Sequence, residues 1–125
     1  MSNDFLNVFL NEMKTNVNGF IAIAVTEIET GLSYGSLSVD PNFDPELASA
    51  YNLEVVKAKF AAIKALNLNQ DIKDILITLS NQIHIIDISP SKKFMIYLAA
   101  DATKANLGMT RAVLGKYKLE LEEKL

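Results

Sequence analysis

The segment Phe20-Ile21-Ala22-Ile23-Ala24-Val25 is apolar at every position, and nothing else in the chain limits the possible folds as much. Isoleucine, valine and phenylalanine favour strands, and a strand sends alternate side chains to opposite faces. Ile21, Ile23 and Val25 fall on one face and Phe20, Ala22 and Ala24 on the other, so both faces need cover. A sheet containing this strand must lie between two other layers.

The remaining elements supply those layers. A first helix of about four turns starts at a Ser2 cap. It places Phe5, Phe9 and Met13 on one arc with Leu6 and Leu10, and turns Asn11, Lys14 and Thr15 away. The first strand runs from Phe20 to Ile28, and Glu29-Thr30-Gly31 reads as a turn. Leu32 to Val39 is a shorter, more polar strand that suits a sheet edge. After the loop Asp40 to Pro45, Asp44 can cap a second helix with Pro45 at its first position. That helix reaches about Leu66 and is ended by Asn67 to Asp71. Three further strands follow, Ile72–Leu79, Ile83–Ile88 and Phe94–Ala100. Their short links favour antiparallel neighbours, since parallel ones need long crossovers. A last helix starts near Asp101 or Thr103, lines up Leu107, Thr110, Leu114, Tyr117 and Leu121, and ends in the charged stretch Glu120 to Lys124. The order α-β-β-α-β-β-β-α makes an α+β fold: one antiparallel sheet with helices on both faces, in a single domain over residues 1–125.

The second helix carries more apolar surface than one sheet can hide. At about 100° per residue, Leu47, Tyr51, Val55, Ala58, Ala62 and Ala65 form one ridge. Leu53, Val56, Phe60 and Ile63 form another on nearly the opposite side, with Lys57 and Lys64 on one flank between them and Asn52 and Lys59 on the other. One ridge docks the helix. The other, left in water, would be a contiguous apolar patch of the kind monomers avoid. Its cover is a loop or helix of the same chain, a permanent partner of another kind, or a second copy in an isologous dimer. The second copy is the favoured reading, and the alanines would let two helix backbones approach closely.

Charge and cysteine content narrow the function classes. The chain has no cysteine and a net charge of -3, Arg111 is its only arginine, and Lys92–Lys93 is its only basic pair. No disulfide framework or thiolate metal site can form. The clustered basic footprint of a nucleic-acid binder is missing. No apolar run approaches the roughly 20 residues that span a bilayer, and Asp4 stands where a signal peptide would carry lysine or arginine. A soluble, unprocessed cytoplasmic protein is expected.

Residues capable of chemistry do not assemble in the sequence. His84, the only histidine, lies in mid-strand without a second histidine or cysteine to complete a metal site. No serine sits in a Gly-x-Ser-x-Gly elbow. Gly31-Leu32-Ser33-Tyr34-Gly35 lacks the lysine and following helix of a phosphate loop and reads as a hairpin turn. Asp74, Asp87 and Asp101 come from successive strands, with no sign of convergence, and read as solvated or capping carboxylates. Arg111 has the chemistry of an arginine finger acting on a nucleotide in trans, but a lone arginine early in a helix reads as a surface residue. The expectation is a module with no catalytic residues, no metal and no cofactor.

Val17-Asn18-Gly19-Phe20-Ile21-Ala22-Ile23-Ala24-Val25, the Gly31-Leu32 turn, the alanine-rich second helix and Asn106-Leu107-Gly108-Met109-Thr110-Arg111 resemble the Roadblock/dynein light chain family over nearly the whole chain. The resemblance implies a profilin-like, five-stranded antiparallel sheet with the second helix on one face and the terminal helices on the other. It also implies a dimer that joins the edge strands Ile72–Leu79, through Ile75 and Ile77, into one ten-stranded sheet. The second helices would then lie side by side along Leu47, Tyr51, Val55, Ala58, Ala62 and Ala65. Members of that family regulate or scaffold Ras-like small GTPases or serve as dynein light chains. A prokaryotic member is the GTPase-activating partner of a gliding-motility polarity switch and repositions residues of the GTPase without inserting an arginine. The resemblance therefore implies a homodimeric GTPase regulator or tether with a docking strip at Glu46, Glu54, Lys57 and Lys64. The alternatives are a motor light chain or adaptor that leaves nucleotide cycles untouched, and a small-ligand sensor.

Overall fold

The structure, a computed structural model, describes the backbone of residues 2–125 and the side chains of residues 4–125. The cap expected from the Ser2 side chain lies outside these residues. The elements are α1 (Ser2–Asn16), β1 (Phe20–Glu27), β2 (Ser33–Ser38), α2 (Pro45–Ala65), β3 (Asp74–Thr78), β4 (Gln82–Ile88), β5 (Phe94–Asp101) and α3 (Leu107–Lys124). All strand pairs are antiparallel, in the spatial order β2-β1-β5-β4-β3. β5, made last, sits at the centre, and β2 and β3 are the two edges.

The sheet is covered on both faces, as its apolar strands require. On one face α1 and α3 bury Leu6, Phe9, Met13, Leu114 and Leu121 against Ile23, Val25, Ile85, Ile96 and Leu98. On the other, Leu53 and Val56 of α2 pack on Ile86, Met95, Tyr97 and Ala99. Phe94 to Ala100 is buried without interruption, as the central strand of a two-sided sheet should be.

Three local expectations need correction. Along β1, Phe20 shares a face with Ile23 and Val25, while Ile21 turns toward α2. The cause is a slip in the pairing with β5: Phe20 opposes Ala100 but Ala22 opposes Ala99. Ile21 is the extra residue of a bulge, and a one-residue slip exchanges faces. β3 begins at Asp74 instead of Ile72, although Ile72 still packs against the α2-side core. α3 begins at Leu107, because Asp101 Oδ1 accepts from the Thr103 amide at 2.9 Å and its hydroxyl at 2.8 Å and closes a turn. Asn106 caps the helix, accepting from Met109 N at 3.1 Å.

Gly19 leads into β1 with φ +76°, where an added Cβ would lie 3.0 Å from the Asp101 carbonyl oxygen. Its own carbonyl accepts from Asp101 N at 2.8 Å, tying the entrance of β1 to the exit of β5.

A candidate docking surface

The start of α2 is set by Asp44, whose carboxylate accepts from the amides of Glu46 and Leu47 at 3.0 and 3.1 Å, with Pro45 in the first turn. The face turned to the sheet buries Ser49, Leu53 and Val56, and Phe60 packs beside them. A buried hydroxyl pair, Ser49 Oγ to Thr26 Oγ1 at 2.7 Å, pins this face to β1. The sequence hides that pin, because serine and threonine more often mark surfaces.

The opposite ridge is uncovered. Leu47, Tyr51 and Val55 are 57%, 72% and 40% exposed, Ala58 and Ala65 are exposed, and Ala62 is half-exposed. The alternative of a cover from the same chain therefore does not hold for this ridge. Beside it runs a groove of about 770 Å³, whose walls include Val55, Ala58 and Ala62 of α2, Leu68 and Ile72 of the α2–β3 linker, and Ile75 of β3. Among the described residues β3 pairs only with β4. Ile75 and Ile77 are half-buried on its α2 side, and Leu66 and Leu68 are exposed just before it. Ridge, groove and open strand edge thus adjoin one another.

Three of the four polar candidates lie elsewhere on the helix. At about 100° per residue, Glu46, Lys57 and Lys64 share the flank away from Val55 and Ala62, while Glu54 borders the ridge beside Leu47 and Ala65. Glu54, Lys57 and Lys64 are exposed. Glu46 is also exposed, but its carboxylate accepts from the Ser33 and Ser36 hydroxyls, both at 3.1 Å. It is an anchor between α2 and β2.

The residues considered for chemistry have structural partners. His84 is half-exposed on β4, with Nε2 2.8 Å from Gln82 Oε1 and Nδ1 3.0 Å from the Tyr97 hydroxyl. Burial depresses its pKa and raises that of Tyr97. Asp74 and Asp87, expected to stay apart and solvated, are directly opposed across β3 and β4, and Asp87 is buried. Each takes its own cation from α3. Arg111 donates to Asp74 through Nε at 2.9 Å and Nη2 at 3.0 Å. Lys118 Nζ lies 2.8 Å from Asp87 Oδ1. Burial pushes the Asp87 carboxyl upward, and Lys118 pulls it part of the way back. Arg111 and Lys118 are seven residues apart on one helical face, the one signal in the sequence that could have found this arrangement. Asp101 is a turn residue, as a capping role requires. Among the described residues no three His, Asp or Glu side chains could hold a metal ion, and no helix is long and apolar enough to cross a membrane.

No sequence-family model matches this chain, and no curated protein matches it either. Solved structures do. MglB of Myxococcus xanthus superposes with a TM-score of 0.81 at 14% identity, over 95% of this chain and 93% of that one. A Roadblock/LC7 domain from Streptomyces avermitilis gives 0.80 at 9% identity, over 93% of each chain. An MglB with a tetrameric arrangement gives 0.83 at 16% identity, over 100% of this chain and 93% of that one. The chain has the Roadblock fold. Its Roadblock sheet has two unlike edges: β3, next to the uncovered α2 ridge, and β2, to which Glu46 is hydrogen-bonded.

Proposed function

We propose that this chain is a homodimeric regulator or scaffold that binds a Ras-like small GTPase, works in the cytoplasm and carries no catalytic residue of its own. The observation behind this reading is the exposed ridge Leu47–Tyr51–Val55 beside the open edge of β3. A second copy related by a two-fold axis would pair β3 with β3 through Ile75 and Ile77. It would also lay the helices together along Leu47, Tyr51, Val55, Ala58, Ala62 and Ala65. Apolar area of this extent is stabilised only when a partner removes it from water. The fold shared with MglB, one structure of which has a tetrameric arrangement, supports self-association and the GTPase reading together. In such a dimer Lys57 and Lys64 stay on the outer flanks as the docking strip, with Glu46 at its edge and Glu54 at the border of the helix contact. Arg111, held by Asp74, leaves the partner's own residues to perform hydrolysis.

The test is sedimentation of the chain alone and with the small GTPases of its host, each loaded with GDP or a non-hydrolysable GTP analogue. A two-chain mass and binding that depends on the nucleotide are expected. A single-chain mass at micromolar concentration sinks the dimer. Binding indifferent to the nucleotide removes the regulatory role and leaves an adaptor.

A further inference from the structure

The chain's charges are unevenly distributed. From Thr15 to Val56 there is no lysine, arginine or histidine, while Glu27, Glu29, Asp40, Asp44, Glu46 and Glu54 all fall in that stretch. β2 lies in its middle. Glu27 and Glu29 stand at the hairpin that leads into it, Asp40 and Asp44 follow it, and Glu46 reaches onto it from α2. Of these carboxylates, Glu27 has Lys93 nearby.

The strand itself is unguarded. Val39 N donates to Ile21 O at 2.9 Å, so the amides of Val39 and Leu37 turn inward to β1. By alternation those of Ser36 and Ser38 turn outward, and among the described residues no backbone partner takes them. Edge strands are usually blunted by lysine, by proline or by a covering element. Ser33–Ser38 contains no charge and no proline, and its one irregularity, opposite Val25 and Thr26, leaves the far end straight. Leu32 and Val39, 67% and 50% exposed, stand at its two ends as apolar footholds.

From this edge we propose that β2 is a second docking site, which adds as a further strand an extended, lysine- or arginine-rich segment of another protein. Backbone bonds at Ser36 and Ser38 supply the ladder, and the surrounding carboxylates select the sign of the partner's charge. A second copy does not fit, because two such edges would bring like charges together. The proposal is independent of the α2–β3 dimer, which leaves β2 free at both ends of the sheet.

The experiment uses the full chain and the labelled peptide acetyl-Lys-Val-Lys-Val-Lys-Val-amide, with a glutamate-for-lysine version as control. Peptide binding is followed by fluorescence anisotropy and amide hydrogen exchange by NMR. Expected are binding of the lysine peptide only, weakening with salt, and slowed exchange at Ser36 and Ser38. Ser36→Pro, which removes an outward amide and the hydroxyl that donates to Glu46 but no bond of the β1 ladder, should abolish binding while keeping the circular dichroism and the mass. Glu46→Gln, which retains a hydrogen-bonding side chain, should weaken it. Protection at Ile75 and Ile77 instead, equal binding of the glutamate peptide, or no binding would each overturn the proposal. None of these outcomes depends on a GTPase.

Discussion

The Tyr97 hydroxyl lies 3.0 Å from Nδ1 of His84, and the contact on the other ring nitrogen fixes the state of the histidine. Gln82 Oε1, 2.8 Å from Nε2, can only accept, so Nε2 carries the proton and Nδ1 is the acceptor. Burial lowers the pKa below its ordinary 6.5, so on acidification the unfolded chain takes up this proton before the folded one. Stability should therefore fall as the pH drops below about 6.5, and the decline should flatten once the folded histidine is protonated. Thermal midpoints between about pH 7 and pH 5 should decline less steeply in His84→Gln than in the wild type. Parallel slopes would show that the histidine is not the source.

The two sides of α2 should respond differently to substitution. Leu53 is buried against the sheet, and Leu53→Ala should cost about 2–4 kcal/mol in urea unfolding. Tyr51→Asp, on the uncovered ridge, should preserve the far-ultraviolet circular dichroism and reduce the sedimenting mass to one chain. A dimer that survives this change would rule out the ridge as the interface.

Asp87 tests the α3 ion pairs. With Lys118→Met, a buried carboxylate loses its cation, and stability at pH 7 should drop by roughly 2–4 kcal/mol. The Asp87 pKa, already raised by burial, would rise further. A group whose folded pKa is raised stabilises the fold at low pH and loses that contribution as the pH climbs through it. The deficit in urea midpoint should therefore shrink as the pH is lowered from 7 towards 5.

Two glycines share φ +76° but not their surroundings. At Gly19 a Cβ would meet the Asp101 carbonyl oxygen at 3.0 Å, whereas at Gly31 the nearest atom is Leu53 Cδ2 at 3.5 Å. Both alanine variants bear the left-handed backbone cost of about 1–2 kcal/mol. Gly19→Ala should lose more than Gly31→Ala, since its neighbour is backbone and cannot yield.

Element order and the two-sided sheet were legible because Phe20–Val25 and Phe94–Ala100 are apolar on both parities. The uncovered ridge was legible because helical rotation separates Tyr51 from Val56 whatever the rest of the chain does. What stayed hidden depends on register or on distant pairs. The bulge at Ile21 exists only against β5, and Asp87 finds Lys118 across 31 residues. Thr26 and Ser49 are buried only because they face one another. Glu46 looked like free surface until the β2 serines came beneath it.

The centre of the sheet also sets when this protein can fold. β1 waits for β5, pairing Phe20 with Ala100 and Glu27 with Phe94, and closing so long a loop is slow. A nascent chain that stops short of Phe94 holds two hairpins, β1–β2 and β3–β4, with no strand to pair them into one sheet. Ile23, Val25, Ile85 and Ile86, all fully buried in the finished molecule, would then meet chaperones or proteases first. Synthesis of β5 is thus the step that lets the two hairpins close into a single sheet.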